Sequence, residues 1–131
     1  MKKTASLLLG AFMVLVLCSF APKDDNNYKV KSRYVFGFSF SYSDSSVYFT
    51  DVQCIDSAKI GEHGKLVKAS LFSDQLRAHL INKGVPNPIT VIFNEKNEKA
   101  ANRQMEKVMK KHNDPKIGWK VIPQNEFKFK Q

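Results

Sequence analysis

Tyr34, Phe36, Phe38, Phe40 and Tyr42 share one parity along the chain, while Val35, Gly37, Ser39 and Ser41 share the other. A period of two marks a half-buried strand, whose successive side chains point to opposite faces. Ser43 to Ser46 supplies turn chemistry and Val47 to Ile55 is again rich in strand formers, so the two runs predict an antiparallel hairpin. After a loop over Ser57 to Lys68, which contains Gly61 and Gly64, the period lengthens. Phe72, Leu76 and Leu80 form the stripe of a helix, with Leu71 and Ile81 at its margins and Ser70 or Ser73 as its cap. Lys83-Gly84 followed by Pro86 and Pro88 stops it.

Ile89 to Phe93 is a short, continuous apolar run, predicting a strand covered on both faces or central in a sheet. A second helix follows from about Glu95 or Asn97 to His112, with Ala101, Met105, Val108, Met109 and His112 along one side and Asn113-Asp114-Pro115 as its end. Trp119 to Ile122 predicts a last short strand, and Phe127 and Phe129, alternating with Lys128 and Lys130, an edge strand or an ordered tail. The order β-β-α-β-α-β predicts an α+β fold: a two-layer sandwich whose mixed sheet of four or five strands carries both helices on one face. In that arrangement the aromatic face of the first strand meets the helices, and Gly37, Ser39 and Ser41 face water.

The first 21 residues lie outside this fold. Lys2-Lys3, an apolar run from Leu7 to Leu17 and small residues near its end have the three parts of a secretory signal. The run is shorter than the roughly 20 residues that cross a bilayer. Two processing routes stay open. Leu15-Val16-Leu17-Cys18 resembles a lipobox, which implies lipidation of Cys18, whereas Ser19 and Ala21 form the small-x-small pattern of ordinary cleavage after Ala21. Residues 22–31 read as a polar tether and residues 32–131 as one domain. Export leaves Cys54 as the domain's single thiol, expected to be packed and inert in a strand.

Charge narrows the picture further. The 131 residues carry 21 basic and 12 acidic side chains, a net charge of +9, and the excess concentrates between Glu95 and Gln131, which holds ten basic residues against five acidic. On the second helix, Lys96, Lys99, Arg103, Lys107 and Lys110 fall within a narrow arc opposite the apolar stripe. This cationic ridge is the first candidate site, and outside the cytoplasm it suits an anionic glycan, a lipid headgroup or an acidic envelope protein. Phe36-Gly37-Phe38 echoes the signature of RNA-recognition sheets, but Ser39 and Ser41 occupy positions where that signature needs apolar and aromatic residues, so no nucleic-acid partner is expected.

Catalytic motifs are absent from the sequence. There is no G-x-S-x-G elbow, no P-loop, and neither paired cysteines nor histidines at metal-ligand spacing, so no metal or other cofactor is expected. His63, beside Glu62 and between Gly61 and Gly64, is the one histidine a loop could present to a ligand; His79 and His112 read as structural. Along the hairpin, spacing puts Asp44 and Asp56 on one side and Asp51 on the other if no bulge intervenes, which argues against a carboxylate pair.

The leader, the run from Tyr34 to Thr50, the helix-strand-helix and the closing Glu126-Phe127-Lys128-Phe129 resemble a group of small Bacteroidetes envelope proteins and lipoproteins. Lys23-Asp24-Asp25 is similar to the acidic tether with which lipoproteins of that kind reach the cell surface. The resemblance implies an exported protein in the periplasm or on the outer membrane, held to the membrane only by a lipid anchor; it implies no activity. A second resemblance, to peptidoglycan-binding SPOR domains, rests on Tyr34-Val35-Phe36-Gly37-Phe38 and Ala100-Ala101 and implies glycan binding. The leading expectation is a non-catalytic binding or accessory domain. The alternatives are a SPOR-like module, a hydrolase whose site assembles His63 with Asp56 and Glu62, and an assembly partner that pairs through an edge strand near Phe127 and Phe129. Since the acidic tether favours the lipidated form, intact mass of the protein recovered from membranes should show a chain beginning at an acylated Cys18; an unmodified chain beginning at Pro22 would rule that form out.

Overall fold

A computed structural model describes residues 28–114, 116 and 118–131. The expected leader, Cys18 and the acidic tether lie outside them. The element order is three strands, a 3-10 turn, a helix, a strand, a helix and a final strand, which is the predicted α+β arrangement of a mixed five-stranded sheet with two helices.

Everything is organised around β1 (Lys29–Ser41). Along one edge it carries β4 (Pro88–Glu95), antiparallel and in unbroken register from Tyr34 opposite Glu95 to Ser41 opposite Pro88. Along the other edge run β2 (Val47–Thr50) and β3 (Gln53–Ile60), also antiparallel to β1. They are the two halves of the predicted hairpin arm. Three residues of β1 separate the pairs Phe38 with Phe49 and Val35 with Gln53, against four on the arm, so a bulge at Asp51-Val52 divides it. The unladdered N–H of Gly37 beside this bulge donates to Thr50 Oγ1 at 2.8 Å. β5 (Lys120–Ile122) closes the far side, parallel to β2. β1 begins inside the segment expected to be a tether, because the polar stretch from Lys29 to Lys31 pairs its backbone with Ile60 to Ala58.

The helices α1 (Ala69–Asn82) and α2 (Glu98–Lys111) cover opposite faces of this sheet, not one. Two separate core clusters show it. Val35 gathers with Phe72, Leu76 and Leu80 of α1, whereas Phe36, its neighbour of opposite parity, gathers with Val47, Phe49 and Val108 of α2. The reason is topological. The chain goes from β3 past β1 to β4, then from β4 back across the sheet to β5. Crossovers of one hand that travel in opposite directions deposit their helices on opposite faces. Gly37, Ser39 and Ser41, expected to face water, are therefore buried beneath α1, and a Cβ at Gly37 would collide with Leu76 Cδ2. The aromatic face lies under α2, where Phe36 stacks on Phe93 with ring centroids 4.9 Å apart. Full burial of Phe36, Phe49 and Phe72 contributes about 1.5–3 kcal/mol each.

Local chemistry sets the helix ends. Asn97 caps α2, its Oδ1 accepting from the Ala100 N–H at 2.8 Å. α1 starts after Lys68 with no side-chain cap; Ser73, a predicted cap, instead shares hydrogen bonds with Thr90 on β4. At its other end Gly84 takes φ +88°, its N–H bonds Ile81 O and the Val85 N–H returns to Leu80 O, the Schellman closure predicted from Lys83-Gly84. β4 departs from expectation. It is an edge strand, its side toward α1 covered, with Ile89 and Val91 exposed on the other face because α2 does not reach that far.

Phe127 and Phe129 form an ordered tail, not an edge strand, and both are buried against α1. Gln53 holds them: its Nε2 donates to Phe127 O and its Oε1 accepts from the Phe129 N–H, both at 2.9 Å. One amide thus supplies the donor and acceptor that a neighbouring strand would. Gln75 on α1 repeats the pattern with the backbone of Lys130 at the rim. Since Gln53 is 1% exposed, Gln53→Leu strands a buried carbonyl and a buried N–H and should cost about 2–4 kcal/mol. Gln75→Ala, at the exposed rim, should cost under about 1 kcal/mol. Urea denaturation of the two variants checks the contrast, and equal losses would remove Gln53 from its role as the clamp.

Candidate functional site

α2 presents its apolar residues to the sheet in the predicted register. Ala101 and Val108 are buried, Met105 and Met109 pack partly against the same cluster, and the ring of His112 lies 4.6 Å from that of Phe38. The opposite arc is the cationic ridge. Lys99, Arg103, Lys107 and Lys110 stand on it, whereas Lys96, expected on the same arc, precedes the Asn97 cap and lies outside the helix. All five are exposed, and among the described residues none of them lies within ion-pair distance of a carboxylate. The four charges on α2 therefore stand in solvent, about one helical turn apart along some three turns. His79, the other histidine read as structural, packs over the ring of Phe127 at 5.0 Å.

His63 sits on the 3-10 turn Glu62–Gly64 with φ +60°, exposed, in the left-handed region that its flanking glycines make easy to enter and leave. The turn forms one wall of an open groove of about 390 Å³, which Lys29, Lys31, Arg33 and Lys96 also line. Asp56 is not among the lining residues; its carboxylate meets Cys54 Sγ at 3.5 Å. The structure thus does not bring His63, Glu62 and Asp56 together. The other two hairpin carboxylates are engaged elsewhere. Asp44 Oδ1 accepts from the N–H and hydroxyl of Ser46 in the β1–β2 turn, which holds its carboxyl below the usual range, and Asp51 Oδ2 accepts from the Gln124 N–H at 3.0 Å. Among the described residues, no group of three or more His, Cys, Asp and Glu side chains is placed to hold a metal ion.

Cys54 is exposed on β3, not packed inside. Its parity places it opposite Tyr34 on the α2 face, where α2 leaves the sheet end uncovered. Partial desolvation pushes the thiol's pKa up, and hydrogen bonding and repulsion from Asp56 push it further. The Tyr34 hydroxyl is raised as well, first by Cys54 and then by burial, with Glu98 and Asp56 adding to it. A thiol held protonated is a weak nucleophile.

Arg33 is the residue that sequence reasoning missed. It is 6% exposed, and its Nε is buried without a hydrogen-bond partner among the described residues. The signal was present: Lys29, Lys31 and Arg33 share the parity of buried Val35, so the alternation that defines β1 puts three cations on the face that α1 covers further along, and the one nearest Val35, Arg33, is buried while Lys29 and Lys31 stay exposed. No family model, curated protein sequence or solved structure matches the chain.

The state of Cys54 is testable. Because its pKa is raised, thiolate is scarce at neutral pH and accumulates only in the alkaline range, so alkylation by iodoacetamide at pH 7.5 should run slower than that of N-acetylcysteine. Asp56→Asn should speed it. A rate matching the free thiol, unmoved by that substitution, would contradict the assignment.

Proposed function

We propose that the chain is an exported envelope protein, held to the membrane by a lipidated Cys18, whose domain binds an anionic envelope partner without catalysis. The partner is an anionic glycan, a lipid headgroup or an acidic envelope protein. The observation that carries this reading is the ridge: Lys99, Arg103, Lys107 and Lys110 spaced along one exposed side of α2, with Lys96 just before its start, and no carboxylate partners among the described residues. Such an array sums into a field that draws in anions and orients an extended one along the helix. No helix among the described residues is long and apolar enough to cross a membrane, which leaves anchoring to the N-terminal segment in this proposal.

Reversing Lys99, Arg103 and Lys107 to Glu should weaken binding to phosphatidylglycerol vesicles by at least about 100-fold, since losing three cations at about 1 kcal/mol each near an anionic surface gives that much before the new carboxylates add repulsion. Wild-type binding should itself fall between low and moderate salt. Envelope glycans and acidic peptides assayed in parallel identify the preferred partner. If the variant binds all three as tightly as wild type does, the ridge plays no part.

A further inference from the structure

The groove beside the 3-10 turn has a composition that the ridge does not explain. Lys29, Lys31 and Arg33 project from one face of β1, opposite Ile60, Ala58 and Ile55 of β3. β4 ends opposite Tyr34, so this part of β1 is paired on one edge only, and the chain beyond β4 brings Lys96 over the open side. Glu62 and His63 form the remaining wall. Four cations thus surround a cavity of about 390 Å³ against one carboxylate, an excess of three positive charges.

Arg33 is the decisive member. A guanidinium is seldom nine-tenths buried without a carboxylate, because removing it from water is costly unless an anion and matched hydrogen bonds replace the lost hydration. Here the side chain is 6% exposed, no carboxylate lies within ion-pair distance among the described residues, and its Nε–H has no acceptor. The planar fork of an Arg fits two oxygens of one oxyanion; with Nε closed off from solvent, the edge left to an anion is that of the two terminal nitrogens. β3 and β4 run parallel to each other on either side of β1 and both end at this groove, after which the chain departs to opposite faces of the sheet. Crevices at the carboxyl ends of strands, where successive connections diverge, are where open sheets hold ligands.

We propose that this groove binds a phosphate group, with Arg33 as its bidentate anchor and Lys29, Lys31 and Lys96 balancing its charge. The excess of three positive charges favours a phosphate dianion over a single carboxylate. The phosphate belongs either to a soluble ligand or to a lipid headgroup, and the chemistry of the site is the same for both. The site is distinct from the ridge, and it stands or falls independently of the envelope-binding reading.

The test is titration of the full chain with inorganic phosphate, followed by amide NMR at constant ionic strength, with chloride as the control. Saturable shifts are expected in Lys29 to Arg33, Gly61 to Gly64 and Lys96. Arg33→Lys keeps the charge but loses the fork, and should weaken phosphate by roughly tenfold or more. Should that buried substitution prevent folding, Lys29→Glu with Lys31→Glu, at exposed positions, should abolish the shifts in a folded protein. The Lys99, Arg103 and Lys107 reversal should leave phosphate affinity unchanged, so the ridge reading can fail without touching this one. Vesicles with and without phosphatidylglycerol separate the two sources: loss of vesicle binding in the groove variant points to a headgroup, and its retention to a soluble phosphate. Shifts that chloride reproduces, that spread along α2, or that survive Lys29→Glu with Lys31→Glu would overturn the proposal.

Discussion

Leu76 of α1 rests on the backbone of β1 at Gly37, so close that no side chain fits between them. That contact makes β1 a strand buried on both sides. Its one face must be flat, and Gly37, Ser39 and Ser41 keep it so; its other face must fill a wider gap, and Phe36, Phe38 and Phe40 do that under α2. A larger residue at Gly37 would have to push the Leu76 side chain of α1 aside and would crowd Phe129 of the tail packed against the same helix. The asymmetry of side-chain size across one strand is what lets two helices approach one sheet from opposite directions.

The larger core, on the α1 side, is completed by a segment that has no regular structure. Backbone groups entering a core need partners, and a coil has none of its own. Gln53 resolves this by offering one amide to two backbone groups, and Gln75 continues the arrangement outward. Ser41, whose hydroxyl donates to Pro86 O, and Thr50, which receives the Gly37 N–H, play the same part at the other irregular points of the sheet. Short polar side chains thus replace the ladder wherever a bulge, a turn or a tail interrupts it.

Basic side chains occupy two different physical environments. On α2 they stand apart in water, where each is weakly coupled to its neighbours and screened by salt. Around Arg33 they converge on an open groove, where a single anion would meet several at once and only Arg33 is withdrawn from water. Lys96, at the junction of β4 and α2, lines the groove and stands off the helical row. The first environment suits an extended polyanion and the second a compact one.

Local signals in the chain determined the strand alternation from Tyr34, the hairpin turn, the stop at Lys83-Gly84, the Asn97 start and the two-sidedness of α2, because each depends on residues within a turn or two of one another. The exposed ridge was legible for the same reason: helical geometry alone puts its cations on one arc. Tertiary structure alone decided which face each helix covers, since that depends on β5 returning to the far edge of β2, a pairing between residues some 70 positions apart. It also decided the burial of Ser39 and Ser41, the exposure of Cys54 and the enclosure of Arg33. Parity places a side chain on a face, but whether that face meets a helix, water or a cavity is settled by elements distant in sequence, and no local pattern carries that information.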